Sequence, residues 1–105
     1  MQEKSKVESY IGFAMRANKY RCGAYAISTL KKVELLILCH TAENNSQVLV
    51  KKLARKFGVK IVVSNKKKIA DICKKEHCKI MAILDKSLSD AILDNLNEDF
   101  TELEY

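Results

Sequence analysis

Helix-period segments alternate with short aliphatic or β-branched runs along almost the whole chain, and this alternation limits the fold more than any other feature. Val7, Tyr10, Ile11, Ala14 and Met15 fall at i, i+3, i+4, i+7 and i+8, one face of a first helix, and Asn18 suits a left-handed stop after it. Residues 20–22 read as a short strand, with Tyr20 and Cys22 on one side and Arg21 on the other. Gly23 then opens a second helix over about residues 24–32, turning Ile27 and Leu30 inward. Residues 33–39 are almost continuously apolar, as in a strand covered on both faces. Asn44, Asn45 and Ser46 offer caps for a third helix. Its core stripe is Leu49, Val50, Leu53, Ala54 and Phe57, and Gly58 ends it.

The pattern continues with a strand at 61–63 and a fourth helix, capped by Ser64 or Asn65 and running through Ile69, Ile72 and Cys73. A strand follows at 79–84. Ser87 with Asp90 has the spacing of a capping box for a last helix built on Leu88, Ala91, Ile92 and Leu96. The order α-β-α-β-α-β-α-β-α predicts one α/β domain with helices on both faces of a sheet. No proline and only three glycines leave little room for long irregular loops. No repeat, linker or low-complexity segment interrupts the 105 residues, and the last few are expected to fray.

Charge is distributed unevenly. The net value is +6, but residues 1–93 hold all 19 basic residues against 8 acidic ones, a net of +11. Residues 94–105 carry Asp94, Glu98, Asp99, Glu102 and Glu104 and no base, an acidic tail of −5. A basic body points to a polyanion partner. Within residues 44–70 there are eight bases (Lys51, Lys52, Arg55, Lys56, Lys60, Lys66, Lys67, Lys68) and no acid. Lys51 with Arg55 and Lys52 with Lys56 are like-charge i, i+4 pairs, each costing a few tenths of a kcal/mol. Lys66, Lys67 and Lys68 are expected in the first turn of the fourth helix, where the dipole opposes them by roughly 0.3–1 kcal/mol per well-placed group. A solvated face explains such a surface equally well, but phosphates would relieve the repulsion.

A second cluster, Arg16, Lys19, Tyr20, Arg21, Gly23 and Tyr25, surrounds the first strand and the turn after it. Its cations can hold phosphates while a tyrosine offers a stacking face to an unpaired base. Gly23 permits close backbone approach, and amides at the start of the second helix favour an anion. The bland alternative makes Tyr20 a core residue and Gly23 a tight turn.

Catalytic readings are weaker. Cys39 and His40 are adjacent on a strand and point to opposite faces, so they form no nucleophile–base pair. Asp85 at a strand end is a lone acid, and no phosphate-binding or dinucleotide glycine loop is present. Cys73, His77 and Cys78 have loose metal-like spacing without a clear fourth ligand, so Cys22, Cys39, Cys73 and Cys78 are expected to be free thiols in a reducing cytosol, with no cofactor and no metal. The opening MQEK leads into no apolar stretch, and no run approaches the roughly 20 residues of a spanning helix, so a cytoplasmic protein without a membrane partner is expected.

The segment YIGFAMRANKYRCG, from Tyr10 to Gly23, resembles the N-terminal stretch of the ribosomal-protein superfamily of kink-turn RNA binders. It is closest to the bacterial YlxQ-type branch, in which a helix reading G-x-A-x-R-A-G-K leads into a short strand ending in Gly. LLILCHTAENN from Leu35, NKKKIA from Asn65 and IMAILD from Ile80, followed by Leu88 and Ile92, are similar to later segments of that family in the same order. The resemblance spans about residues 7–93. It implies a three-layer α/β/α sandwich with a mixed four-stranded sheet, and a binding surface at one end around Gly23, Thr41 and the end of the fourth helix. Family members read tandem G·A pairs with G-x-N-E-x-x-K. Here Gly23 keeps the Gly, while Tyr25, Ala26 and Thr29 stand at the Asn, Glu and Lys positions. Thr41 replaces an acid after the second strand, and Lys75, Glu76 and His77 replace an apolar loop.

The expectation is therefore a monomeric, non-enzymatic protein associated with structured RNA, ribosomal RNA being one such partner. Arg16, Lys19, Arg21, Lys31, Lys32 and Lys66 would hold phosphates, and Gly23 and Tyr25 would shape or stack the site. The alternative is a protein-interaction module that kept the fold and lost kink-turn recognition.

Overall fold

A computed structural model describes residues 6–74 and 78–105. The elements run α1 (Lys6–Arg16), β1 (Tyr20–Cys22), α2 (Ala24–Ser28), β2 (Leu35–Cys39), α3 (Asn44–Phe57), β3 (Ile61–Ser64), α4 (Ile69–Cys73), β4 (Ile80–Ile83), α5 (Lys86–Asp94) and β5 (Phe100–Leu103). The sheet is mixed and has five strands, ordered β1-β4-β2-β3-β5. Only β2 and β3 are parallel; β1 with β4, β4 with β2, and β3 with β5 are antiparallel.

β2 is the central strand, and all five of its residues are buried. Alternation sends Leu35, Ile37 and Cys39 into one apolar cluster with Val7, Ile11 and Ala14 of α1, Ile69 of α4 and Ile92 of α5. Leu36 and Leu38 enter a second cluster with Ile27 of α2 and Val50, Leu53 and Ala54 of α3. The continuous apolar run is therefore the mark of a strand with a core on each side. Asn18 ends α1 with φ 58°, and Gly58 ends α3 with φ 65°, both in the left-handed region expected of them.

Several expectations are corrected. The sheet has a fifth strand beyond the four expected: the acidic tail, its last few residues expected to fray, pairs through Phe100–Leu103 with β3. Tyr105 adds a bond from its hydroxyl to the Val59 carbonyl at 2.6 Å. α2 stops at Ser28 rather than reaching Lys32, so its dipole is that of five residues. Asn44, Asn45 and Ser46 lie inside α3, whose N-cap is Glu43 with no side-chain cap bond. Leu49 is not in the core; it is 44% exposed. α5 is capped by Asp85, which accepts from the Leu88 N–H at 2.9 Å, and Ser87 lies within the helix.

The three lysines 66–68 precede α4 instead of forming its first turn, with Lys68 at its N-cap. Ser64 and Asn65 do not cap this helix. Ser64 Oγ donates to the Lys67 carbonyl at 2.6 Å, and the Asn65 amide donates to the Glu98 carbonyl and to Thr101 Oγ1.

Candidate nucleic-acid interface

The strand register sets which residues share an end of the sheet. Gly23 follows Cys22, which faces Met81 near the start of β4; Leu38 faces Ile80, and Cys39 faces Ser64. Gly23, Thr41, Asn65 and Lys66 thus cap one end. Lys19 leads into Tyr20, which faces Ile83, and Leu35 after Lys31 and Lys32 also faces Ile83. These three lysines belong to the opposite end.

The eight residues expected to bind RNA consequently do not form one surface. Arg16 lies on the face of the α1–α5 cluster, its guanidinium 4.8 Å from the Phe13 ring, beside a cleft shared with Glu8, Lys67, Asp71 and Lys74. Arg21 is exposed on edge strand β1 and bonds the adjacent Tyr20 carbonyl at 3.1 Å. Lys32 pairs with Glu34 at 3.3 Å, and Lys66 with Asp99 at 3.7 Å. Lys19 and Lys31 are exposed.

Gly23 and Tyr25 are the two that the fold brings together with other useful groups. Gly23 has φ 92° and donates its N–H to the Ile80 carbonyl at 2.9 Å. A Cβ there would meet nothing within 4 Å, so the backbone angle, not crowding, calls for glycine. This turn launches α2 with Tyr25 pointing outward, 83% exposed. Tyr25 lines a groove of about 400 Å³ between α2 and α3, with Leu49, Leu53, Lys52 and Lys56 opposite. Lys56 Nζ donates to the Ser28 carbonyl at 2.7 Å, while Lys52 makes no ion pair among the described residues. Val48, 53% exposed, and Leu49 extend the apolar strip on α3. Ala26 offers no polar side-chain atom, and Thr29 Oγ1 is turned back to the Ala26 carbonyl at 2.8 Å.

Sequence reasoning singled out Tyr25 but left Lys52 and Lys56 out of its site; their signal was the acid-free stretch 44–70. That stretch is partly neutralised from elsewhere. Glu102 pairs with Lys60, Asp99 with Lys66, and Glu8 with Lys67 at 2.6 Å.

The end around Thr41 is ordered by hydrogen bonds. Lys79 Nζ donates to Thr41 Oγ1 at 2.7 Å, and Thr41 lies 3.0 Å from Cys39 Sγ. Burial works to raise the Cys39 thiol, but bonds from Thr41 and the backbone, with the Lys79 charge, outweigh it and hold its pKa below the ordinary value. Cys39 is buried and His40 exposed, with His40 Nδ1 3.0 Å from the Ser64 carbonyl, so the two face apart as alternation requires. Asp85 is the α5 cap. His77 of the proposed Cys73–His77–Cys78 spacing, and the Lys75–His77 loop, lie outside the described residues. Among the described residues no helix is long and apolar enough to cross a membrane.

No family model matches the chain, and no curated protein does. A solved structure of a protein with unknown function from Bacillus halodurans matches it with a TM-score of 0.71. The match has 19% identity over 87% of this chain and 96% of that one. At that identity the likeness concerns the fold alone.

Proposed function

We propose that this chain is a cytoplasmic, non-enzymatic RNA-binding protein, a three-layer α/β/α member of the kink-turn-binder superfamily that engages RNA through the α2–α3 groove. The observation that carries this reading is Tyr25, exposed beside Lys52 and Lys56 in a groove whose lining contains no acid. A tyrosine ring gives an unpaired base a face to stack on, and the lysines across the groove hold the flanking phosphates. The net charge of +6 favours the encounter. Titration with structured RNA at several salt concentrations tests it. If about five phosphates are neutralised, log K falls against log salt with a slope of about −4 to −5 on duplex-like RNA. A flat salt response or no saturable binding overturns the proposal.

The second reading, a protein-interaction module, is favoured by Val48 and Leu49, which join Tyr25 as exposed apolar residues. Binding of a protein partner that persists unchanged at high salt would favour it over RNA.

A further inference from the structure

We infer that Cys22, Cys73 and Cys78 form a three-thiolate site for a thiophilic d10 metal ion, Zn²⁺ or Cu⁺. The inference does not rest on the RNA-binding reading. The three residues come from separate parts of the chain: Cys22 ends β1, Cys73 ends α4 and Cys78 precedes β4. Their Sγ atoms all lie within 4.8 Å of one another. Whatever the shape of that triangle, some point lies within about 2.8 Å of all three sulfurs, against about 2.3 Å for a Zn–S bond. Small side-chain rotations close the difference.

Burial and donor chemistry support a metal over three idle thiols. Cys73 and Cys78 are each 5% exposed, and Cys22 is half-buried, which leaves an approach from one side. Three soft sulfur donors select Zn²⁺ or Cu⁺ over hard cations. Cu⁺ is complete with three thiolates, whereas Zn²⁺ adds a water or other donor from the open side. Binding displaces a proton from each thiol to the buffer and leaves the site with a net charge of −1 for Zn²⁺ or −2 for Cu⁺. Cys39 does not belong to the trio; its sulfur is engaged by Thr41.

Reduced, metal-stripped full-length protein is titrated separately with Zn²⁺ and with Cu⁺, each against a competing chelator, and X-ray absorption is recorded on the resulting complexes. One equivalent of at least one ion binds, with three sulfur neighbours at about 2.3 Å for Zn²⁺. Cys22→Ser, the change at the most accessible position, weakens binding at least tenfold, and Cys39→Ser shifts it less than twofold. Circular dichroism establishes that each variant is folded. The absorption spectrum of the wild-type complex decides the question by itself if a variant fails to fold. Absence of one-to-one binding for both ions, a shell with fewer than three sulfurs, or unchanged binding in folded Cys22→Ser overturns the inference.

Discussion

Lys56 reaches across from α3 to bond the carbonyl of Ser28 at 2.7 Å, so one wall of the groove beside Tyr25 is tied to the other. The tie holds α2 in place without using Tyr25, whose ring is left to solvent. Tyr25→Ala should weaken binding to an RNA with an unpaired base by about 1–3 kcal/mol, through lost stacking. The same change should move folding stability by no more than about 0.5 kcal/mol, because little of the ring is buried. Filter binding and denaturant titration on one preparation separate the two effects.

Lys52 lines the same groove without an ion pair among the described residues. If it holds a phosphate, Lys52→Ala weakens binding about equally across RNA sequences and lowers the magnitude of the salt slope by about 1. An unchanged slope would remove Lys52 from the contact.

On the proposed kinship with the kink-turn binders, Tyr25, Ala26 and Thr29 would stand at the Asn, Glu and Lys positions, and Thr29 Oγ1 is bonded back to the Ala26 carbonyl. On that reading, the absence of those directed bonds, at about 1–3 kcal/mol each, should remove most preference for tandem G·A pairs. A standard kink-turn and a scrambled duplex of equal length should bind within about tenfold. Tyr25→Asn, Ala26→Glu and Thr29→Lys together should raise kink-turn selectivity. A hundredfold preference already present in the unmodified protein would show that the positional mapping of α2 is wrong.

The fifth strand makes a prediction of its own. Phe100 is 2% exposed and packs into the cluster of α1 and α5. Phe100→Ala should cost about 3–5 kcal/mol in denaturant unfolding. Glu102→Gln removes only an exposed pair with Lys60 and should cost less than about 1 kcal/mol. A negligible loss from Phe100→Ala would mean that the tail contributes nothing to the core.

This strand also marks where the sequence ceases to be legible. Most of the other nine elements could be read because they bury two or more residues with a clear period; β1 buries none fully and α2 only Ile27, and these two were legible from the turn glycine between them. β5 buries little: Phe100 faces one cluster and Leu103 the other, with Thr101 and Glu102 exposed between them. One apolar residue per face, set among acids, is an edge strand whose charges discourage further pairing, and it shows no usable alternation. Asn65 does not cap α4 for the same reason, since its partners are Glu98 and Thr101, in and beside the unread strand, whereas the Ser64 hydroxyl turns to the local Lys67 carbonyl. Tyr25 stood out because an aromatic follows a turn glycine in a basic setting. Its neighbours Lys52 and Lys56 are about thirty residues away, and only helix packing brings them close. The three cysteines pose the same difficulty, because Cys22 is remote in sequence from Cys73 and Cys78.

Cys78 gives the metal-free protein a pH signature. The hydrogen bond with Cys22 does most to push its thiol pKa well above the ordinary range, followed by burial and by the Cys22 charge. The folded state therefore keeps a proton that the unfolded chain releases near pH 8.5. The folded pKa is raised, so the stability it contributes is fully present below about pH 8.5 and is lost as pH climbs beyond it, by at most about 1.4 kcal/mol per pH unit. Denaturant unfolding of stripped protein between pH 7 and 10 should show this decline, and Cys78→Ala should flatten it even if that variant is less stable throughout. With Zn²⁺ present the sign reverses, because the metal needs the thiolate and competes with the proton, so affinity rises over the same interval. Parallel curves for wild type and Cys78→Ala without metal would show that the Cys22–Cys78 contact does not hold the proton.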